Sequence, residues 1–203
     1  MTKIVVLTGG IGAGKTKVEE IFSSLGVETL DADQITSNLL DKNTRAYKKI
    51  VEIFGQSILT NHEEINRPRM REIIFRDKLA KKKLEGILHP EIRSIMNHEV
   101  KKVSGQYVLQ VIPLWFEVYG EARPFNIWKI IVVESSIKCR KERTLSRSKA
   151  DMDTFDLILD NQANDFERRK IADDIIVNQG TIKELQLQVN SIHERYINCL
   201  KKT

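Results

Sequence analysis

Cysteine is nearly missing from this sequence: Cys139 and Cys199 are the only two in 203 residues. They lie far apart in a chain with no signal-like leader, so a disulfide scaffold is excluded and both are expected as reduced thiols. Only four prolines occur and there is no Gly/Ser tract or repeat, which excludes linker-separated domains. No apolar run approaches the roughly 20 residues that cross a bilayer, so the expectation is a soluble, cytoplasmic protein with no membrane partner. His62, His89, His98 and His193 show neither H-E-x-x-H nor paired-cysteine spacing, and no structural metal is expected. One-sided charge is also lacking. Lys plus Arg total 33 against 28 Asp plus Glu, and a net +5 suits acidic small molecules without calling for nucleic acid.

What is present is alternation. Short β-branched runs at Lys3–Thr8, Val27–Asp31, Gln106–Ile112, Ile127–Val133 and Asp174–Val177 are separated by stretches of helical periodicity. Strands apolar over most of their length are buried on both faces, which predicts an α/β fold with a five-stranded parallel sheet flanked by helices. Residues 34–104 are charged, helically periodic and strandless, and predict a helical insertion into a core of 1–33 and 105–203. Thr181 and Glu184 are spaced as a capping box, followed by Ile182, Leu185, Val189, Ile192 and Tyr196 on one helical face, so the last helix should pack onto the sheet.

The strongest chemical signal is Gly9-Gly10-Ile11-Gly12-Ala13-Gly14-Lys15-Thr16, the G-x-x-x-x-G-K-[ST] pattern directly after the apolar run Ile4 to Leu7. Glycines let the backbone wrap a phosphate with its N–H groups inward, and the following helix offers its positive end to the anion. Gly10, Gly12, Ala13, Gly14, Lys15, Thr16 and Lys17 are therefore the expected ATP contacts. Lys15 should reach the β and γ phosphates. Thr16 and Asp31 are the expected Mg²⁺ ligands, because no aspartate ends the strand Val108 to Ile112 and Mg²⁺ accepts a site with few protein ligands.

Asp31-Ala32-Asp33 ends the second strand, at the edge where parallel sheets hold ligands. Asp33 can activate an attacking hydroxyl, or simply cap the helix that follows, and the two roles are compatible. Arg140, Arg143 and Arg147 share a helical face after Ser135-Ser136. That face is either a lid whose guanidinium groups meet phosphoryl oxygens or a solvated basic surface. Leu88-His89-Pro90 reads as a helix break, and Pro113 to Glu117 begin at the carboxyl edge of the third strand.

In this order, Leu7 to Thr16, Asp31-Ala32-Asp33, Phe54-Gly55, Leu88-His89-Pro90, Pro113-Leu114-Trp115-Phe116-Glu117, the arginine helix, Gln162 and Ala172-Asp173-Asp174 resemble the dephospho-CoA kinases over nearly the whole chain. The resemblance implies a nucleoside-monophosphate-kinase-like P-loop core, a helical CoA-binding insertion and a lid near 138–170. It implies transfer of the ATP γ-phosphate to the 3′-hydroxyl of dephospho-CoA. Catalysis would rest on Asp33, Lys15, Arg143 and Arg147, and acceptor binding on Thr8, Asp33, His89, Pro113 and Glu117. A monomer and a trimer both remain open. The sequence departs from the family pattern at 61–66, where an Asp-Gly turn is common, and at Trp115, where leucine is usual. Three other functions compete: a kinase for another small acceptor, a GTPase, against which the lack of an Asn-Lys-x-Asp segment speaks, and a nucleic-acid ATPase.

Overall fold

The computed structural model describes residues 2–124, 126–147 and 152–202. Its contacts divide the chain into two units, Met1–Asp31 with Val100–Thr203, and Ala32–Glu99. The boundary passes through the Asp31-Ala32-Asp33 segment.

The first unit is built on the strands β1 (Lys3–Thr8), β2 (Thr29–Asp31), β3 (Tyr107–Val111), β4 (Ile127–Glu134) and β5 (Asp174–Val177), in the spatial order β2-β3-β1-β4-β5. All pairings are parallel. Its helices are α1 (Lys15–Ser24), α6 (Trp115–Tyr119), α7 (Ile137–Arg147), α8 (Met152–Asp160), α9 (Asp165–Ile171) and α10 (Ile182–Lys201). Alternation along the strands sorts the side chains into two layers. Val5, Leu7, Leu109, Val111, Ile131 and Val133 meet α1 and α10 on one face. Ile4, Val6, Val108, Ile130 and Val132 meet Trp115 and Ile171 on the other. This double burial is why the strands read as continuous apolar runs.

The second strand begins later than its Val27 start in the sequence suggests. The Val27 N–H is spent on the Phe22 carbonyl, 3.1 Å away, where α1 ends through Gly26, so the sheet ladder opens only at Thr29. The capping box of α10 forms, with the Thr181 hydroxyl accepting from the Glu184 N–H and Glu184 accepting from the Thr181 N–H. Leu185, Val189, Ile192 and Tyr196 are buried against the sheet, while Ile182 stays half exposed. At the sheet edge, the Gln188 amide occupies both the N–H and the carbonyl of Val177, each at 2.9 Å.

The second unit is helical: α2 (Ala32–Leu39), α3 (Arg45–Phe54), a 3₁₀ turn (Gln56–Ile58), α4 (Arg67–Arg76) and α5 (Lys78–Val100), the last reaching one residue into the first unit. Leu39, Ala46, Ile50, Ile58, Met70 and Leu88 belong to its apolar core. The break expected at Pro90 is absent, since α5 runs through it. Proline withholds one N–H, and the residue four earlier is Gly86, whose Cβ position has nothing within 4 Å. The 61–66 segment is a tight turn between the bridged residues Leu59 and Ile65, with Glu63 at φ 60°.

Candidate active site

The loop from Gly9 to Gly14 joins the end of β1 to the start of α1, as the motif requires. Gly14 has φ 97°, and a Cβ there would lie 2.1 Å from the Asn178 amide nitrogen, so this position demands glycine both conformationally and sterically. The Lys15 ammonium donates to the carbonyls of Gly9 at 2.8 Å and Gly10 at 3.1 Å, which folds the side chain over the loop. Thr16 and Lys17 are exposed in the first turn of α1, and Lys17 pairs with Glu20 at 2.7 Å. The loop thus brings backbone N–H groups, a helix N-terminus and a lysine together in one short segment, a device for polyphosphate.

A ring of side chains braces this loop from outside. Asn178, just past β5, donates to the Ala13 carbonyl at 2.8 Å and is buried. Arg143 donates to Ser135 Oγ at 3.1 Å and to the Asn178 carbonyl at 3.0 Å, and Ser135 donates to that same carbonyl at 2.8 Å. A cleft of about 230 Å³ opens beside them, lined by Gly14, Lys17, Arg143, Asn178, Ile182 and Leu185. Helix α7 starts where Ser136 accepts the Cys139 N–H at 3.3 Å. Arg140 is 2% exposed, which rules out the solvated-surface reading for this member of the face. Burial pulls its guanidinium below the ordinary value, with Asp165 opposing that shift and Arg168 adding to it. Arg147 ends α7, and its side chain lies outside the described residues, as does the 148–151 segment of the expected lid.

The other predicted residues are placed less simply. Thr8 is 1% exposed and its hydroxyl donates to the Pro113 carbonyl at 3.2 Å, tying the end of β1 to the turn after β3. Glu117 accepts the Ala163 N–H at 2.9 Å and stands 3.8 Å from Arg168, so it joins α6 to the segment before α9. Asp31 closes β2 and neighbours Glu19, whose carboxyl is pushed up first by burial and further by the Asp31 charge. Asp33 is not the residue before a helix: α2 starts at Ala32, and Asp33 sits in its first turn, where a carboxylate meets the positive helix end. His89 is half buried within α5. Asp33 and His89 belong to the second unit, Lys15, Arg143, Thr8, Pro113 and Glu117 to the first.

Sequence reasoning missed Asn178, Ser135 and Asp165. Asn178 stands in Asn178-Gln179-Gly180 at the carboxyl end of a predicted strand, the edge where ligands bind, and that position was its one signal.

The sequence model of the dephospho-CoA kinase family matches residues 3–184. A dephospho-CoA kinase from the gamma-proteobacterium EBAC31A08 is 35% identical over 199 residues, covering 98% of this chain and 100% of that one. Among solved structures, the dephospho-CoA kinase from Campylobacter jejuni superposes with a TM-score of 0.68 at 29% identity, over 97% of this chain and 98% of the other. TT1252 from Thermus thermophilus shares the fold with a TM-score of 0.82 at 24% identity, over 96% and 97% of the two chains. With the phosphate loop in place and relatives matched end to end, the chain belongs to the dephospho-CoA kinase family.

Proposed function

We propose that this protein transfers the γ-phosphoryl group of ATP to the ribose 3′-hydroxyl of dephospho-CoA, releasing ADP and CoA. The observation that carries the reading is the glycine loop seated between β1 and α1, with Lys15 folded over it, in a chain of this family. The loop N–H groups and Lys15 hold the β and γ phosphates. The adenine fits the cleft between Arg143, Asn178 and the start of α10, where a guanidinium plane and the apolar Ile182 and Leu185 offer stacking and burial.

Phosphoryl transfer asks little covalent chemistry of the protein and much positioning and charge stabilisation. Asp33 accepts the proton of the 3′-hydroxyl as its oxygen bonds to the γ-phosphorus and the bond to the β–γ bridging oxygen breaks. Lys15, Arg143 and Arg147 take up the charge on the transferred group. Thr16 and Asp31 offer the hard oxygen donors that suit Mg²⁺, which when bound supplies neutralising charge to the polyphosphate. His89 and the helical unit bind the acceptor. Glu117 and Pro113 border it, with Thr8 acting through Pro113. Helices α7 to α9 serve as the lid, and the reaction takes place in the cytoplasm.

The test is ADP release by purified protein with Mg-ATP, with dephospho-CoA, AMP or adenosine as acceptor. ADP and CoA formed only with dephospho-CoA support the reading. Release with another acceptor alone keeps the phosphate loop and removes the acceptor assignment. Asp33→Asn should lower kcat about 10²–10⁴-fold, the usual contribution of a positioned base, with ATP affinity nearly unchanged. Undiminished turnover would remove Asp33 from its role.

A further inference from the structure

One residue of the phosphate loop, Ile11, is held from outside at both of its backbone polar groups, which belong to the two successive peptide units that meet at its Cα. The Ile11 N–H donates to Gln162 Oε1 at 2.9 Å, and the Ile11 carbonyl accepts from Arg140 Nε at 2.8 Å. The two side chains come from different elements, Arg140 from the first turn of α7 and Gln162 from the turn after α8. Neither is placed by chance. The Arg140 side chain is 3% exposed, and its Nη1 reaches Asp165 at 3.3 Å, a carboxylate that also accepts from Arg168 at 3.1 Å. Its Nη2 has no hydrogen-bond partner among the described residues and lies against Gly10, where a Cβ would come within 2.1 Å of it. The Arg140 carbonyl in turn lies against Gly12, 2.3 Å from where a Cβ would stand.

Desolvating a guanidinium is expensive, and an apolar side chain of similar size would fill the same space at lower cost. The arginine does what such a side chain cannot: it donates a charge-assisted hydrogen bond to a loop carbonyl. With the N–H and the carbonyl of Ile11 both engaged outward, the two peptide planes that meet at its Cα are each held by one bond, and the neighbouring N–H groups of the loop are directed before the nucleotide arrives. A free loop would lose backbone freedom at the moment of binding, which weakens affinity.

We propose that Arg140 and Gln162 are positioning residues that clamp the Ile11 backbone on both sides of its Cα and pre-shape the phosphate loop for the ATP polyphosphate. The proposal rests on the kinase reading, and its test turns on nucleotide binding alone, which needs no acceptor. In calorimetric titration with ADP or ATP, Arg140→Ala and Gln162→Leu should each weaken nucleotide affinity about 10–100-fold. The KM for dephospho-CoA should stay within about twofold. Because both side chains hold the backbone of one residue, the double variant should lose little more than the worse single variant. Arg140→Lys, which keeps a cationic donor, should recover part of the loss. Amide hydrogen exchange at Ile11 in the nucleotide-free protein should quicken in both single variants. Should Arg140→Ala fail to fold, Gln162→Leu tests the same residue from its N–H side. Unchanged nucleotide affinity in a folded variant, additive losses, or an equal rise in both KM values would overturn the clamp. An active enzyme whose acceptor is not dephospho-CoA would leave it standing.

Discussion

The two units bury different chemistry. Among the described residues, every buried Thr, Ser, Asn, Gln, Glu and Arg, from Thr8 to Asn178, falls in the sheet unit, while the buried residues of Ala32–Glu99 are apolar apart from Tyr47, whose hydroxyl donates to the Glu63 carbonyl. In the sheet unit Arg140 and Asn178 bond the phosphate loop, while Thr8 bonds Pro113 and Glu134 pairs with Arg169, and a buried group left without its partner costs about 1–3 kcal/mol. The helical unit draws its stability from packing, which tolerates apolar exchange as long as volume is conserved. Precision sits where phosphates bind, and replaceable packing sits elsewhere.

That contrast can be broken most forcefully at Lys15. Lys15→Met should cost about 10²–10³-fold in kcat, the scale of one preorganised donor, with little change in thermal stability, because the lysine serves the loop and no core. A variant that turned over normally would end the identification of the loop as the reaction centre. On the helical side, Ile50 is fully buried, and Ile50→Ala should cost about 2–5 kcal/mol in denaturant unfolding while ATP affinity of the folded protein is kept. Equal losses of stability and affinity would erase the distinction between the units.

A smaller effect separates them by pH. His193 in α10 shares a 2.7 Å hydrogen bond with the buried Tyr107 hydroxyl, and burial holds its pKa below 6.5, with Glu194 opposing. The unfolded chain therefore takes up this proton first. Stability from this site is intact above pH 6.5, falls on acidification through the folded pKa and levels once both states are protonated. Thermal melts from pH 7.5 to 5 should show the decline, and His193→Gln should flatten it. An identical slope in the variant would assign the effect to other groups. Smallest of all, Glu63 occupies φ 60° in the turn between Leu59 and Ile65. Glu63→Gly should relieve that backbone while giving up the exposed pair with Lys42, so the two effects should nearly cancel and Tm should barely move.

The same contrast governs what could be read in advance. The phosphate loop was legible because its function demands glycines and a lysine at one spacing, and the α10 capping box because its partners are three residues apart. The sheet was legible through its apolar strands. Asn178 was not, since its bond to Ala13 spans 165 positions and leaves no local trace. Spacing put Arg140, Arg143 and Arg147 on one face but said nothing of what that face would meet. Arg140 meets the loop and is buried, while Arg143 is shared among Ser135, Ala13 and Asn178. Pro90 misled for a related reason: the rule about the preceding residue is a preference, and the packed face of a long helix outweighed it. The expectation that Asp33 caps the next helix missed by a single residue of register, with α2 starting one position before it.

The Gln188 amide at the sheet border has a bearing on crowding. A strand that ends a sheet invites a neighbouring molecule to extend it, and β5 is such a strand. Here a side chain from the protein's own last helix already mimics that visitor, offering an acceptor and a donor to Val177 as a passing peptide would. A second molecule would first have to evict it. Together with the three-residue length of β2 at the opposite border, this leaves concentrated solutions little template for strand-by-strand polymerisation.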